Sequence, residues 1–215
     1  MKHTINVLLA DDHSVVRAGY RLLLAQSAVI GRIFEADGGA SACRIYAEQK
    51  PDIVVMDLSM PGIGGLNAIR RIIARDARAR ILVFSIHEEP IYVAKAIEAG
   101  AKGYITKRSA PDIMLQAVIK IAAGETYIEK ALRQHKKAHG DAVQSPAARV
   151  ENLSAREFDI FLCLANGLTT REIAEQLCLS HKTIANYSTA IKTKLEVNTG
   201  AEIAKLAYHL NLLAR

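Results

Sequence analysis

Ile53-Val54-Val55-Met56-Asp57-Leu58-Ser59-Met60-Pro61-Gly62-Ile63-Gly64-Gly65 is the stretch that decides the fold. Its apolar run follows Pro51, is too short for a helix and is closed by a Pro/Gly-rich loop. This is the pattern of a parallel strand buried on both faces. Asp57 then stands at the carboxyl end of the strand, where open α/β sheets hold their sites. Further out, Ile5-Asn6-Val7-Leu8-Leu9-Ala10 ends in Asp11-Asp12, and Ile81-Leu82-Val83-Phe84 ends in Ser85. If these strands are neighbours, three carboxylates and a hydroxyl meet at one edge, and that negative charge requires a positive partner. A bound Mg2+ with oxygen ligands and a nearby lysine would supply it.

The same alternation runs through the first half of the chain. Helices are predicted over 15–26, 40–49, 66–76, 90–99 and 110–123, and two weaker strands over 31–35 and 103–105. Five strands alternating with helices make a doubly wound α/β domain with a five-stranded parallel sheet over residues 1–124. Residues 125–149 lose this periodicity and read as a linker with a helical start at Ile128 to Leu132. Within them, Gln134-His135-Lys136-Lys137-Ala138-His139-Gly140-Asp141 reads as a solvated face.

Residues 150–215 are patterned for helices alone. Ser154 and Glu157, Thr169 and Glu172, and Thr199 and Glu202 each have capping-box spacing, and Ser180 caps a further helix over 181–195. Four helices are expected, an all-α domain in which the turn Cys178-Leu179-Ser180 joins a helix-turn-helix pair. Ser180 to Lys194 holds three lysines and no acid, although residues 150–215 carry seven bases and seven acids. That domain is neutral, yet one face is positive. The expected core positions of this helix leave Lys182, Ala185, Asn186, Thr189 and Thr193 outward.

The whole chain of 215 residues is half apolar and carries a net charge of +6, which permits a nucleic-acid partner without requiring one. Cys43, Cys163 and Cys178 have no metal spacing and lie in apolar helical contexts, so all three read as small buried thiols of a reducing compartment. Met1-Lys2-His3-Thr4 leads straight into a strand, and no stretch approaches a membrane span, so a cytosolic protein is expected.

Asp11-Asp12, Asp57 before Met60-Pro61-Gly62, Ser85, Tyr104 and Lys107 together resemble the receiver domain of a two-component response regulator, a flavodoxin-like fold. Leu153-Ser154-Ala155-Arg156-Glu157, Gly167-Leu168, Glu172-Ile173-Ala174 and Thr183-Ile184 resemble the helix-turn-helix of the LuxR/NarL/FixJ group. The likeness spans nearly the whole chain apart from the linker. It implies that a sensor histidine kinase, or a small phosphodonor, passes a phosphoryl group to Asp57, and that homodimers bind double-stranded promoter DNA.

Residue by residue, the resemblance makes Asp57 the nucleophile and Asp12 a direct Mg2+ ligand. Asp11 orients a metal-bound water, and Asp57 itself and the backbone carbonyl of Ser59 complete the protein's share of the metal site. Lys107 pairs with a phosphoryl oxygen, while Ser85 and Tyr104 form the switch. Ser59 and Glu88 are expected to tune phosphoryl lifetime. On the DNA side the implied contacts are Lys182, Thr183, Asn186, Thr189, Lys192, Thr193 and Lys194, with the last helix holding dimer contacts through Ile203, Leu206 and Leu210. Two positions depart from the family. Arg108 stands where many receivers have Pro, so a cis bond retained there would cost about 2.5–4 kcal/mol; Ala185 stands where Lys is common. Two alternatives stay open: a protein-interaction module without DNA binding, and a small phosphatase of the aspartyl-phosphate type. The phosphatase lacks an acid two residues after Asp57, where Ser59 stands.

Overall fold

Each apolar run of the first half becomes a strand of one parallel sheet in the computed structural model, which describes residues 4–134 and 145–213. The strands are β1 (Ile5–Ala10), β2 (Ile30–Ala36), β3 (Ile53–Met56), β4 (Ile81–Ser85), β5 (Gly103–Thr106) and β6 (Tyr127–Ile128). Between them run α1 (Ser14–Ala25), α2 (Gly39–Gln49), α3 (Gly64–Arg75), α4 (Pro90–Glu98) and α5 (Pro111–Ala122). The spatial order is β2-β1-β3-β4-β5-β6, so the direction of winding reverses between β1 and β3. The crevice in which open α/β sheets bind ligands lies at that reversal, and the strands on either side of it are followed directly by Asp11 and Asp57. β3 is buried at every residue, as its unbroken apolar run requires.

The sheet has six strands, where five were expected. β6 is a two-residue edge strand in the stretch read as linker, paired through Gly103 with Tyr127 and Tyr104 with Ile128. Two residues are too few to show a period of two. Its approach depends on Gly103, because a Cβ there would come within 2.4 Å of the Tyr127 carbonyl oxygen. α6 (Lys130–Gln134) follows β6, and the first compact unit closes at Arg133. Most of the polar tract beyond it, residues 135–144, lies outside the described residues, as do Met1, Lys2 and His3.

The loop after β3 is equally constrained. Gly62 and Gly64 have φ of 77° and 67°, a left-handed backbone that suits glycine. At Gly65 a Cβ would lie 2.0 Å from the Asp57 carbonyl oxygen and 2.6 Å from the Leu58 Cα. The first turn of α3 therefore rests directly on the backbone that carries Asp57.

The second unit comprises α7 (Pro146–Glu151), α8 (Ala155–Ala165), α9 (Thr170–Leu177), α10 (His181–Leu195) and α11 (Gly200–His209). Among the described residues the four expected helices are present as α8 to α11, and α7 is added to them, beginning inside the stretch read as linker. Ser145-Pro146 has the residue types of a loop, but here Ser145 is an N-cap accepting the Ala148 N–H and Pro146 takes the first helical position. α7 buries Val150, and Arg149 donates to the Leu195 carbonyl at the end of α10.

Both capping boxes at Ser154/Glu157 and Thr169/Glu172 are complete. The third is split: Thr199 accepts the Glu202 N–H, but the Glu202 carboxylate reaches past it to the Asn198 N–H. In α11, Ile203 and Ala207 are fully buried, while Leu206 and Leu210 are half-buried, so much of that stripe is core. Cys178 is not the buried thiol expected. It is exposed in the left-handed conformation that ends α9. Cys43 and Cys163 are partly buried, and burial raises both thiols, Cys163 to about 11, which keeps them protonated and inert.

Lys194 of α10 sits 2.8 Å from the Glu157 carboxylate of α8, joining the capping box to the helix-turn-helix. Burial acts to raise the Glu157 carboxyl, but Lys194 and the Ser154 hydrogen bonds outweigh it and hold it below its ordinary 4.5.

Two measurements follow from these contacts. Gly65→Ala should lower stability by about 1–3 kcal/mol in urea unfolding, because the backbone at Asp57 and Leu58 cannot yield without loss of packing. Glu157→Gln should weaken the second unit by about 1 kcal/mol at pH 7, followed by NMR signals of α8 and α10 in urea. Since the folded carboxyl is depressed, its contribution is fully present above about 4.5 and is lost as pH falls through the folded value, so mutant and wild type should converge in acid.

Candidate functional site

Asp57 is the first residue past β3. Its N–H donates to the Ala10 carbonyl at 2.9 Å, which locks it beside the end of β1. Asp11 follows β1 directly, and both side chains are almost completely buried. Lys107, one residue past β5, extends its ammonium between them. Nζ is 2.8 Å from Asp57 Oδ2 and 2.7 Å from Asp11 Oδ2. The other oxygens are also engaged: Asp57 Oδ1 accepts the Ser59 N–H at 3.2 Å, and Asp11 Oδ1 accepts the His13 N–H at 2.8 Å. Asp12 is more open, with Oδ1 at 3.0 Å from His13 Nδ1.

Burial is the largest influence on Asp57 and raises its pKa; Lys107 counteracts it, and the neighbouring Asp11 charge adds to it. Burial acts to lower Lys107, but Asp11 and Asp57 outweigh it and the lysine is raised. The lysine thus stays charged, and the buried carboxylate lacks enough positive charge.

The donor set fits a small hard cation. One oxygen each from Asp11, Asp12 and Asp57 and one nitrogen of His13 all lie within 4.8 Å of one another. Asp11 Oδ2 and Asp12 Oδ1 are shut from solvent without a hydrogen bond of ordinary geometry, although each faces a basic nitrogen. Three carboxylates against one lysine leave a negative excess that a divalent cation with oxygen ligands offsets. His13 is absent from the sequence-derived set. Its imidazole is largely exposed and suits such a cation less well than a carboxylate; its adjacency to Asp11-Asp12 was the available signal.

Ser85 and Tyr104, the residues expected to form a switch, stand beside this cluster. Ser85 is the last residue of β4, opposite Thr106 in the register, and its carbonyl accepts the Lys107 N–H at 2.8 Å. The Ser85 hydroxyl is fully buried and accepts the His87 N–H at 3.3 Å. Tyr104 is also fully buried, with its hydroxyl donating to the His87 carbonyl at 2.8 Å. Burial raises this phenol far above its ordinary range, so it remains a donor. His87 is a second residue missed in the sequence. It stacks on Tyr92 at 3.9 Å and places Nε2 3.0 Å from the Ser59 hydroxyl. Burial lowers its pKa and favours the neutral ring. Its position two residues after Ser85 was the available signal. Glu88 instead lies at the surface near Arg108. No cis peptide occurs among the described residues, so Lys107-Arg108 is trans.

On α10, Lys182, Ala185, Asn186, Thr189 and Thr193 are all exposed. Thr183 is half-buried at the N-terminus, with its hydroxyl 2.8 Å from that of Ser180. Thr189 and Thr193 donate their hydroxyls to the carbonyls of Ala185 and Thr189, one turn back, leaving oxygen lone pairs as acceptors. Lys192 is half-buried, and Lys194 is bound to Glu157. The outward face is therefore less positive than the three lysines of α10 suggest.

Comparison with known proteins agrees with both halves. The model of the response regulator receiver domain matches residues 7–119, and that of the bacterial regulatory proteins of the LuxR family matches residues 151–207. The chain is similar to the transcriptional activator protein ExaE of Pseudomonas putida, 40% identical over 97% of this chain and 98% of that one. It is also similar to the response regulator UvrY of Escherichia coli K12, 38% identical over 94% and 93%. Among solved structures, a LuxR-family response regulator from Aurantimonas sp. SI85-9A1 is 43% identical over 61% of this chain and 94% of that one, with a TM-score of 0.60. RcsB of Salmonella enterica serovar Typhimurium bound to a promoter shares the fold, at 22% identity over 95% and 98% and a TM-score of 0.72. The matched families are those of regulatory proteins, so the phosphatase alternative is set aside. A receiver sheet with a buried, lysine-bridged acidic edge and a separate helix-turn-helix unit thus agree with the comparisons: the chain belongs to the two-component response regulators that join a receiver domain to a LuxR-type DNA-binding domain.

Proposed function

We propose that Asp57 is the phosphoryl acceptor of this regulator, and the observation that carries this reading is the Lys107 ammonium bridging Asp57 and Asp11 at 2.8 and 2.7 Å. A carboxylate oxygen of Asp57 attacks the phosphorus of a phosphohistidine on the sensor kinase, or of a small acyl phosphate. The O–P bond forms as the bond from phosphorus to the donor breaks. Lys107 leaves the phosphorylated oxygen of the resulting acyl phosphate and pairs with the phosphoryl oxygens, a short shift for a side chain already at the site. Ser85, next to it in the register, turns its hydroxyl from the His87 N–H to donate to another phosphoryl oxygen. Tyr104, in contact with the His87 carbonyl, carries that loop movement toward α4.

Asp12 and the Ser59 carbonyl would hold a Mg2+ ion, with Asp11 orienting its water; when bound, the ion supplies the positive charge that favours ionised Asp57 and offsets that of the arriving phosphate. Phosphorylation then promotes homodimers that bind double-stranded promoter DNA through α10, in the cytoplasm. Among the described residues no helix is long and apolar enough to cross a membrane. Asn186 faces out from the middle of α10 and can pair with adenine N6 and N7, Thr189 can accept from a base edge, and Lys182 and Lys192 suit phosphates. Thr183 and Thr193 border this face. Lys194 reaches phosphate only by exchanging Glu157 for it.

Incubation with acetyl phosphate and Mg2+ should add one phosphoryl group by intact mass. Asp57→Ala and chelation of the metal should each abolish the gain; full labelling of the mutant would move the nucleophile elsewhere. Along α10, Asn186→Ala should cost about 1–3 kcal/mol on the best operator and much less on random duplex. Lys192→Ala should weaken both alike and reduce the salt dependence by about one phosphate contact. Titrations of both duplexes at several salt concentrations separate the two effects.

A further inference from the structure

Glu129 is the first residue past β6, in the stretch that the sequence presents as linker. Its N–H donates to the Tyr104 carbonyl at 3.0 Å, continuing the pairing with β5. Its carboxylate turns back along β5: Oε2 accepts the Thr106 N–H at 3.1 Å and the Ser109 hydroxyl at 2.6 Å. The hydroxyls of Thr106 and Ser109 are 3.1 Å apart, and the Ser109 N–H donates to the Thr106 carbonyl, so the turn over 106–109 is closed around that carboxylate. β6 is too short to offer Thr106 a backbone partner, since its pairing ends at Tyr104 and Ile128. Thr106 is buried, where an unpaired N–H is costly. The Glu129 side chain takes the place of the missing strand.

Lys107 is the next residue. Its N–H is held by Ser85 on β4, while the N–H of the residue before it is held by Glu129. The backbone that aims the bridging ammonium is thus clamped from both neighbouring strands. One clamp is a switch residue, and the other belongs to the segment that continues through α6 toward the DNA-binding unit. We infer that Glu129 is a positioning residue of the phosphoryl-acceptor centre, and that its grip on Thr106 and Ser109 ties Lys107 to the chain leading out of the receiver. This rests on the reading that Lys107 follows the phosphoryl group. If Lys107 shifts on phosphorylation, the turn over 106–109 shifts with it and Glu129 passes the change to α6. By reciprocity, strain on the outgoing segment alters how well Lys107 is aimed.

The test compares full-length wild type with Glu129→Ala, Glu129→Gln and Ser109→Ala. Charge-assisted hydrogen bonds are about twice as strong as neutral ones, so Gln should retain part of the clamp and Ala none. Labelling of Asp57 by acetyl phosphate should slow about tenfold in Glu129→Ala and about threefold in Glu129→Gln and Ser109→Ala. Affinity for Mg2+ by calorimetry should stay within twofold, because Asp11 and Asp12 follow another strand. Exchange of the Thr106 amide, resolved by NMR, should quicken in Glu129→Ala, and the change in exchange across 130–134 on phosphorylation should disappear. Wild-type rates and exchange in Glu129→Ala would overturn the inference. So would a loss of Mg2+ affinity in step with the rate and without rescue by Gln, which marks general damage. Failure of the wild type itself to become labelled would strike the acceptor reading instead. If Glu129→Ala does not fold, Ser109→Ala, which removes only one donor to the carboxylate, decides by the same measurements.

Discussion

The molecule depends on an electrostatic constraint: two carboxylates, Asp11 and Asp57, are buried side by side at the end of a parallel sheet and share a single ammonium. Burying like charges together is costly, and one lysine offsets only part of it. Burial is the main cause that raises Asp57, with the Asp11 charge adding to it, while the two carboxylates together raise Lys107 against its own burial. A centre left short of positive charge is one that a divalent cation would offset.

The fold holds this arrangement rigid where it must and lets it move where it can. Asp57 is fixed by the Ala10 carbonyl behind it and by the first turn of α3, which Gly65 brings against its backbone. The opposite side is built differently. Ser85, His87 and Tyr104 are linked by hydrogen bonds between side chain and backbone in the loop after β4. Such bonds can be exchanged without unpairing a strand. Packing is thus stiff around Asp57, while the contacts beside it can exchange as the sheet stays intact.

In the second unit, the electrostatics of α10 are moderated by α8. Lys194 is drawn to Glu157, whose carboxylate also completes the cap of α8. The charge left for a nucleic acid is concentrated at the two ends of α10, with Asn186 and Thr189 between them. That distribution suits a helix whose lysines orient it on phosphates while shorter polar side chains meet the bases.

The sequence by itself determined the strands and helices, because a fully buried strand must be an unbroken apolar run and a capping box must have its two residues three apart. It determined the acidic edge as well: Asp11, Asp12 and Asp57 each end an apolar run, and parallel strands bring such ends together. Only the tertiary structure decided the rest. β6 and α7 carry no period, one being two residues long and the other opening on residues that also make loops. His87 gains its place from neighbours in space, Ser59 and Tyr92 on other elements. Lys194 looked like a free cation until α8 was packed beside it. Glu129 looked like one more polar linker residue, and what gave it a partner was an unpaired N–H left at the end of β5, a vacancy that exists only once the strands are paired.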